Sequence, residues 1–133
     1  LPPGTPLRLV GPLGRPFQRP RRAGHRLVAG GVGLAPFYYL ARRLRAEQPD
    51  ARIELFYGER TAAAHVELDA DEAGLFDRVD RFTDDGTRGT RGTVVDGSIE
   101  DAPAADLAWY GCGPQPMLRA LAARLGTGRG APV

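Results

Sequence analysis

The sequence predicts an α/β protein with a doubly wound parallel sheet of about five strands, covered on both faces by helices in a three-layer αβα arrangement. Two observations predict it. Short apolar segments suited to strands alternate with longer segments whose apolar residues recur at helical spacing. The first such strand runs into three glycines within four positions (Gly30, Gly31 and Gly33), and a helical pattern follows directly. Parallel strands need helical crossovers, and their carboxyl ends then share one crevice.

The elements follow in order along the chain. Leu7–Val10 is a short strand candidate, and a connector rich in glycine and proline continues to residue 24. The first strand of the main pattern lies around Leu27–Ala29, and the helix Ala35–Glu47 carries Pro36 in its first turn, where proline is well tolerated. The next strand is Arg52–Tyr57. The later pattern predicts a helix over Val66–Phe76, a strand over Arg78–Thr83, a glycine-rich loop over Thr87–Gly92, a helix over Gly97–Ala105, a strand over Leu107–Tyr110, a helix over Gln115–Leu125 and the opening of a further strand at Ala131–Val133.

Length and composition narrow the class of protein. The 133 residues suit one domain with a core of its own. Cys112 is the only cysteine, which excludes an internal disulfide and any all-cysteine metal or iron–sulfur site within this chain. No apolar run approaches the roughly 20 residues of a membrane span, and no secretory leader is visible. We therefore expect a cytoplasmic protein with no membrane span.

The charge is unevenly distributed. Residues 1–30 carry six arginines and no acid, whereas residues 61–106 carry twelve acids and four arginines. A basic segment can bind nucleic acid, but no aromatic residues are interleaved with these arginines and the chain contains no lysine. We therefore predict no nucleic-acid binding. The basic segment is expected to be solvated or to face a partner.

The glycines after the strand around Leu27–Ala29 suit a phosphate site. Glycine leaves no Cβ between the backbone and an anion, and the first turn of a helix offers unpaired N–H groups at its positive end. We predict that Gly31 and Gly33 give the backbone room to approach a pyrophosphate, with N–H groups from Val32 onward pointing at it. Pro36 stands where the usual dinucleotide fingerprint has its third glycine. The alternative is a tight turn that holds no ligand.

Four motifs together resemble the pyridine-nucleotide domain of the ferredoxin–NADP reductase superfamily, and within it the electron-transfer subunits of bacterial dihydroorotate dehydrogenases. In chain order they are Gly11–Gly14 with Phe17, Ala29–Pro36, Thr83–Gly86, and Tyr110–Pro114 with Met117. The family places a flavin-binding barrel before this domain, and its electron-transfer subunits carry a four-cysteine [2Fe–2S] cluster after it. The resemblance therefore implies that residues 1–24 are the tail of such a barrel with its connector, that residues 25–133 are the NAD-binding domain, and that the chain is trimmed at both ends.

The resemblance also implies a nicotinamide site at the turn after the strand Leu107–Tyr110. Cys112 would lie against the nicotinamide ring and orient it, without acting as a nucleophile. The glycines on both sides of it, Gly111 and Gly113, favour close backbone approach, and Pro114 starts the final helix, whose N-terminus faces the crevice. Met117 belongs to the same motif. The alternatives are a buried thiol that packs as a small apolar group and a methionine that belongs to the core.

At the adenosine end the resemblance implies a role for Asp84 and Asp85. Carboxylates there accept hydrogen bonds from a ribose diol and repel a 2′-phosphate, which favours NAD over NADP. Arg60 argues the other way, since an arginine accommodates that phosphate. The alternative for Asp84 and Asp85 is an ordinary turn.

By the resemblance, the chain is the NAD-binding domain of a flavin-dependent electron-transfer oxidoreductase, and it presents nicotinamide for hydride transfer to FAD. Its cofactors would be NAD here, FAD in an adjacent domain and a [2Fe–2S] cluster outside this chain. Its partners would be NADH, a flavin domain of the same protein and a catalytic flavoprotein subunit. No catalytic residue or metal site is predicted within the chain. The alternative is a non-catalytic module of the same fold that senses a nucleotide or supports a subunit interface.

Overall fold

The computed structural model describes residues 1–100 and 106–126. Within them lie five strands, which are β1 (Gly24–Gly30), β2 (Arg52–Glu59), β3 (Arg78–Thr83), β4 (Thr90–Arg91) and β5 (Leu107–Cys112). The helices are α1 (Ala35–Glu47), α2 (Ala70–Ala73), α3 (Val94–Glu100) and α4 (Gln115–Arg124), with 3-10 turns at Gly31–Leu34 and Ala62–Ala64. The strands form one sheet in the order β4-β3-β2-β1-β5, and every neighbouring pair is parallel.

β1 is the central element because it lies between β2 and β5 and is covered on both faces. All seven of its residues are buried. Its register pairs Gly30 with Gly58 of β2 and Ala29 with Cys112 of β5. The carboxyl ends of β1, β2 and β5 therefore meet at one edge of the sheet, as expected of parallel strands.

Alternation along β1 divides the core into two layers. Leu27 and Ala29 face α1 and belong to a cluster with Phe37, Leu40 and Leu44. Val28 faces the other way and packs with Phe56, Phe82, Val94, Val95 and Leu121, which come from neighbouring strands, α3 and α4. Since successive strand residues point to opposite faces, the sheet has helices on both sides. The predicted three-layer αβα fold is confirmed.

The amino-terminal half of β1 contributes buried polar groups that bind its neighbours. Arg26 is 1% exposed, and its guanidinium donates to the Glu54 carboxylate and the Ser98 carbonyl oxygen. Its flat cation lies 4.6 Å from the centre of the Phe56 ring and 5.3 Å from that of Trp109. Because the charge is paired and hydrogen-bonded, its burial is tolerated, and it joins β1, β2 and α3.

His25 makes a second polar contact at the same end of the sheet. Its ring nitrogens lie 3.2 Å from the Tyr110 hydroxyl and 3.2 Å from the side-chain oxygen of Gln48. The Gln48 amide nitrogen donates to the Pro20 carbonyl, so its oxygen faces His25 and can only accept. The imidazole therefore carries its proton on Nε2 and accepts from Tyr110 at Nδ1.

The segment before β1 docks onto this polar end. Gln48 also accepts from the Arg22 N–H, and Arg19 pairs with Glu47 at 2.8 Å. The Phe17 ring lies 5.8 Å from the ring of Phe37, between α1 and β5. Residues 17–22 are thus fixed to the domain through side chains at the end of α1.

Two of the predicted elements differ at the start of the chain and after β2. Leu7–Val10 is not a strand but exposed coil outside the sheet, with Leu9 91% exposed, because nothing in the described part of the chain pairs with it. The predicted helix over Val66–Phe76 shortens to α2. Asp69 and Glu72 form a capping box that starts the helix only there, and the preceding residues are held in a loop.

The later elements differ in their boundaries. α3 begins at Val94 rather than Gly97 because the Thr93 hydroxyl accepts from the Asp96 N–H and caps it. Part of the predicted helix (residues 101–105) and the predicted strand opening at Ala131–Val133 lie outside the described residues. The glycine-rich loop over Thr87–Gly92 contains the short strand β4, which pairs with the end of β3.

Replacing the buried imidazole of His25 should reduce the loss of stability in mild acid. Burial lowers its pKa below the ordinary 6.5, so between the two values the unfolded chain binds more protons than the folded one. The stability is therefore fully present above the unfolded pKa and falls as the pH drops through this window, by up to about 1.4 kcal/mol per pH unit for one residue. We expect urea denaturation at about pH 7.5 and about pH 5.5 to show a smaller loss for His25→Gln than for wild type. An equal loss in both proteins would contradict this assignment.

Candidate functional site

The turn after β1 begins a helix whose first backbone N–H groups are not capped by any described side chain. Gly31 has a left-handed φ of 56°, and the 3-10 turn Gly31–Leu34 continues directly into α1. No side chain in the described part of the chain caps this turn, and Val32 is 94% exposed. Backbone N–H groups at the positive end of the helix therefore face outward from the carboxyl edge of the sheet.

A second helix starts beside the first. β5 ends at Cys112, and Pro114 is the residue before α4, with no side-chain cap of its own among the described residues. Pro116 lies in the first turn of α4, where its missing N–H costs nothing. The Pro114 carbonyl accepts from the Leu118 N–H at 3.1 Å and closes that first turn.

The two turns pack backbone against backbone. A Cβ on Gly33 would lie 2.0 Å from the Cys112 carbonyl oxygen, and one on Gly113 would lie 3.1 Å from the Gly30 Cα. A Cβ on Gly30 would lie 2.6 Å from the sulfur of Met117. We refer to this contact between the two turns, formed by Gly30, Gly33, Cys112, Gly113 and Met117, as the glycine joint.

Gly33 is required by the packing of the two turns, and not by the approach of a ligand as the sequence predicted. The space that a side chain would occupy there is filled by the β5 turn and not by open solvent. Gly31 is different, since the nearest group to its Cβ position is the Glu59 carboxylate at 3.8 Å. The open surface of the turn therefore lies at Gly31 and Val32, with Pro36 exposed one turn further along.

Cys112 lies at the end of β5, partly buried against the core on the α1 side. Burial raises the pKa of its thiol above the ordinary value. The group is therefore a neutral thiol near neutral pH, which suits packing against a ring better than nucleophilic attack. Met117, which belongs to the glycine joint, also packs against the core on the other face of the sheet.

The predicted adenosine-side residues lie across the sheet from Cys112. Asp84 and Asp85 follow β3, two strands from β1, roughly 10 Å away at ordinary strand spacing. The Asp85 carboxylate accepts from the N–H and hydroxyl of Thr87, and these bonds lower its pKa. The Thr87 hydroxyl oxygen in turn accepts from the Ala62 N–H at 2.8 Å, so Asp85 ties the loops after β2 and β3 together.

Asp84 and Arg60 are exposed at this edge, and neither makes an ion pair with any described residue. Sequence reasoning missed Glu59, the last residue of β2, which lies between them and the glycine joint. The available signal was an acid at the end of the second strand after a glycine turn. Its neighbourhood depends on strand register and on a tyrosine contact, which a single sequence does not display.

Comparison with known proteins identifies the family of this chain. The family model for the oxidoreductase NAD-binding domain matches residues 27–123, which include both turns of the glycine joint. The chain belongs to this family. The superfamily resemblance recognised from the four motifs is confirmed.

Curated relatives are similar over most of this chain. It is 39% identical over 125 residues to the electron transfer subunit of dihydroorotate dehydrogenase B (NAD(+)) from Bacillus caldolyticus, which covers 92% of this chain and 47% of the relative. It is 37% identical over 110 residues to a probable subunit of the same name from Archaeoglobus fulgidus, covering 83% of this chain and 44% of the relative. The chain thus spans about half the length of the curated relatives it matches.

Solved structures share the same architecture. The cytochrome P450 reductase GcoB of Amycolatopsis matches with a TM-score of 0.70 and 30% identity, over 92% of this chain and 40% of that one. An NADH-dependent reduced ferredoxin-NADP oxidoreductase matches with a TM-score of 0.67 and 26% identity, over 88% of this chain and 41% of that one. The chain is thus an NAD-binding domain of the kind found in flavin-dependent electron-transfer reductases.

No helix within residues 1–100 and 106–126 is long and apolar enough to cross a bilayer. That part of the chain also contains no group of three or more His, Cys, Asp or Glu side chains arranged to hold a metal ion.

A methyl group at the glycine joint should destabilise the fold. Gly33→Ala forces a Cβ into the backbone of β5, which cannot move aside as a side chain would, so we expect a loss of about 3 kcal/mol or more in the free energy of unfolding. Gly126→Ala is the control because no described residue lies within 4 Å of its Cβ position, so its only cost is backbone strain at a φ of 73°. It should cost only about 1 kcal/mol. Equal losses in urea denaturation would contradict the glycine joint.

Proposed function

We propose that the carboxyl edge of this sheet binds NAD(H) across the glycine joint and presents the nicotinamide for hydride transfer to a flavin on an adjacent domain. The observation that carries the proposal is the pair of uncapped helix starts, brought together by Gly33 and Gly113. A pyrophosphate is the ligand that such N–H groups favour. The open surface at Gly31 leaves room for its approach.

The family resemblance implies which part of the cofactor each element would hold. With the pyrophosphate at the end of β1, the nicotinamide would lie on the β5 side and the adenosine on the β2 and β3 side, and the strand order supports this division because β1 lies between β5 and β2. The residues proposed to hold NAD(H) are Gly30, Gly31, Val32, Gly33, Pro36, Arg60, Asp84, Asp85, Gly111, Cys112, Gly113, Pro114 and Met117.

The chain contributes binding and orientation to the chemistry. Bound NADH supplies the hydride, and transfer to a flavin requires no nucleophile from the protein. In this proposal the neutral thiol of Cys112 and the apolar Met117 would lie at the nicotinamide side and orient the ring. Orientation of this kind lowers the barrier by removing the entropic cost of bringing two rings together.

The names of the curated relatives support a narrower proposal. By that likeness, the chain is part of an electron-transfer subunit of an NAD(+)-dependent dihydroorotate dehydrogenase. The resemblance of the motifs adds the rest of this proposal, in which electrons pass from NADH through FAD and a [2Fe–2S] cluster to a catalytic subunit in the cytoplasm. The segment before β1 fits an attachment to a preceding flavin domain. It exposes apolar side chains that such a domain would cover, namely Leu7, Leu9, Val10 and Leu13.

A carboxylate placed at the open helix start should weaken cofactor binding without harming the fold. Val32→Asp puts a negative charge beside the N–H groups proposed to hold the pyrophosphate, so the Kd for NADH should rise at least about tenfold. The melting temperature should stay the same or rise slightly, because a carboxylate stabilises a helix N-terminus. Fluorescence titration and thermal denaturation of the 133-residue chain measure both effects.

Leu13→Asp provides the matched control. It introduces the same charge at a side chain that is 79% exposed in the segment before β1. Its NADH affinity should equal that of wild type. Unchanged NADH binding by Val32→Asp, or no NADH binding by wild type, would contradict the proposed site.

A further inference from the structure

Phe17 is the point at which the segment before β1 enters the core. Residues 1–16 are all exposed, whereas the Phe17 ring is partly buried against the core cluster on the α1 side of the sheet. Its ring centre lies 5.8 Å from that of Phe37 and 5.9 Å from that of Tyr110, and the contact with Tyr110 is edge-on at 87°. Edge-to-face packing is a favourable geometry for aromatic rings, so the two contacts fix the orientation of Phe17.

Polar contacts continue this attachment towards β1. Arg19 pairs with Glu47 at 2.8 Å, and the Gln48 amide nitrogen donates to the Pro20 carbonyl at 3.1 Å. The side chains of the Arg19–Glu47 pair are 29% and 33% exposed, and ion pairs at a protein surface contribute little. Of these contacts, the one made by Phe17 comes first along the segment and lies in the apolar core.

The two elements that Phe17 contacts are those next to the glycine joint. Phe37 lies in the first turn of α1, directly after the 3-10 turn that contains Gly33. Tyr110 lies in β5, two residues before Cys112. Phe17 thus attaches the segment before β1 to the same two elements that are proposed to hold the pyrophosphate and the nicotinamide.

We propose that Phe17 is a positioning residue for hydride transfer, which fixes a preceding flavin domain relative to the nicotinamide by anchoring the segment before β1 to α1 and β5. The inference rests on the proposed function. Reacting atoms must lie about 3–3.5 Å apart, and a misplacement of about 1 Å can cost about a hundredfold in rate. Each residue of free linker adds up to about 3.5 Å of reach. Loss of the Phe17 contacts would free the segment up to Arg19, which is enough to exceed this tolerance.

The apolar side chains earlier in the segment are directed differently. Leu9 is 91% exposed and Leu13 is 79% exposed, so neither is packed against the NAD-binding domain. They are available to a preceding domain, whereas Phe17 is directed at α1 and β5. The segment therefore divides at residue 17 into a part that faces a preceding domain and a part that is fixed to this one.

Removing the Phe17 ring should slow flavin reduction without weakening NADH binding. In that step NADH is oxidised to NAD+ as its hydride passes to the oxidised flavin. We expect the rate of flavin reduction at saturating NADH, measured by stopped-flow absorbance on the complete flavoprotein, to fall at least about tenfold in Phe17→Ala. The Kd for NADH of the 133-residue chain, measured by fluorescence titration, should stay within about twofold of wild type.

Leu75→Ala is the matched control. Leu75 is also partly buried against the same core cluster, but it lies just after α2, outside the segment before β1 and outside the glycine joint. Its truncation should lower the melting temperature as Phe17→Ala does and leave the rate of flavin reduction unchanged. Phe17→Leu keeps an apolar side chain without the ring, and it takes the place of Phe17→Ala if that variant does not fold, with an expected fall of at least about threefold.

The outcomes separate the inference from the proposed function. If the wild-type chain binds no NADH, or the complete protein holds no flavin that NADH reduces, the proposed function fails and the inference falls with it. If wild type reduces its flavin and the Phe17 variant does so at the same rate, the positioning role is overturned while the proposed function stands. The role is also overturned if the Phe17 variant weakens NADH binding in proportion to the rate, or if Leu75→Ala slows the reaction equally.

Discussion

The structure depends on the backbone contact between the turns that follow β1 and β5. A Cβ on Gly33 would overlap the Cys112 carbonyl oxygen, and one on Gly113 would lie 3.1 Å from the Gly30 Cα, which is closer than ordinary van der Waals contact. Each turn also begins a helix, so this one contact brings two uncapped helix starts to the same edge of the sheet. The glycines that the sequence suggests for ligand binding are thus needed for the packing of the two turns. That packing in turn places the proposed ligand-binding surface at this edge.

The two ends of β1 have different roles. Its amino-terminal half carries His25 and Arg26, whose buried hydrogen bonds join β1 to α1, α3 and the neighbouring strands. Its carboxyl end carries glycine and no polar side chain, which leaves backbone N–H groups available to an anion. Stability concentrated at one end of the central strand allows the other end to stay open for binding.

The sequence was sufficient for the four longer strands and the two long helices because each is an apolar segment or a helical repeat, as β1 and α1 illustrate. It was not sufficient for β4, whose two exposed residues carry no apolar pattern, or for Leu7–Val10, which has an apolar pattern but forms coil. It was less reliable where a local cap sets a boundary, as Thr93 does for α3 and Asp69 for α2. Both turns of the site carry local glycine signals. Glu59 could not be placed from sequence alone, because its position depends on the register between β1 and β2.

The most direct test of the account is an NMR titration of the 133-residue chain with NADH, following the backbone amide signals. If the cofactor spans the glycine joint, the amides of Gly31, Val32 and Gly33 should shift together with those of Cys112 and Gly113, at one common Kd. Shifts confined to one turn, or to the opposite end of the sheet near His25, would contradict the claim that the two turns form a single site.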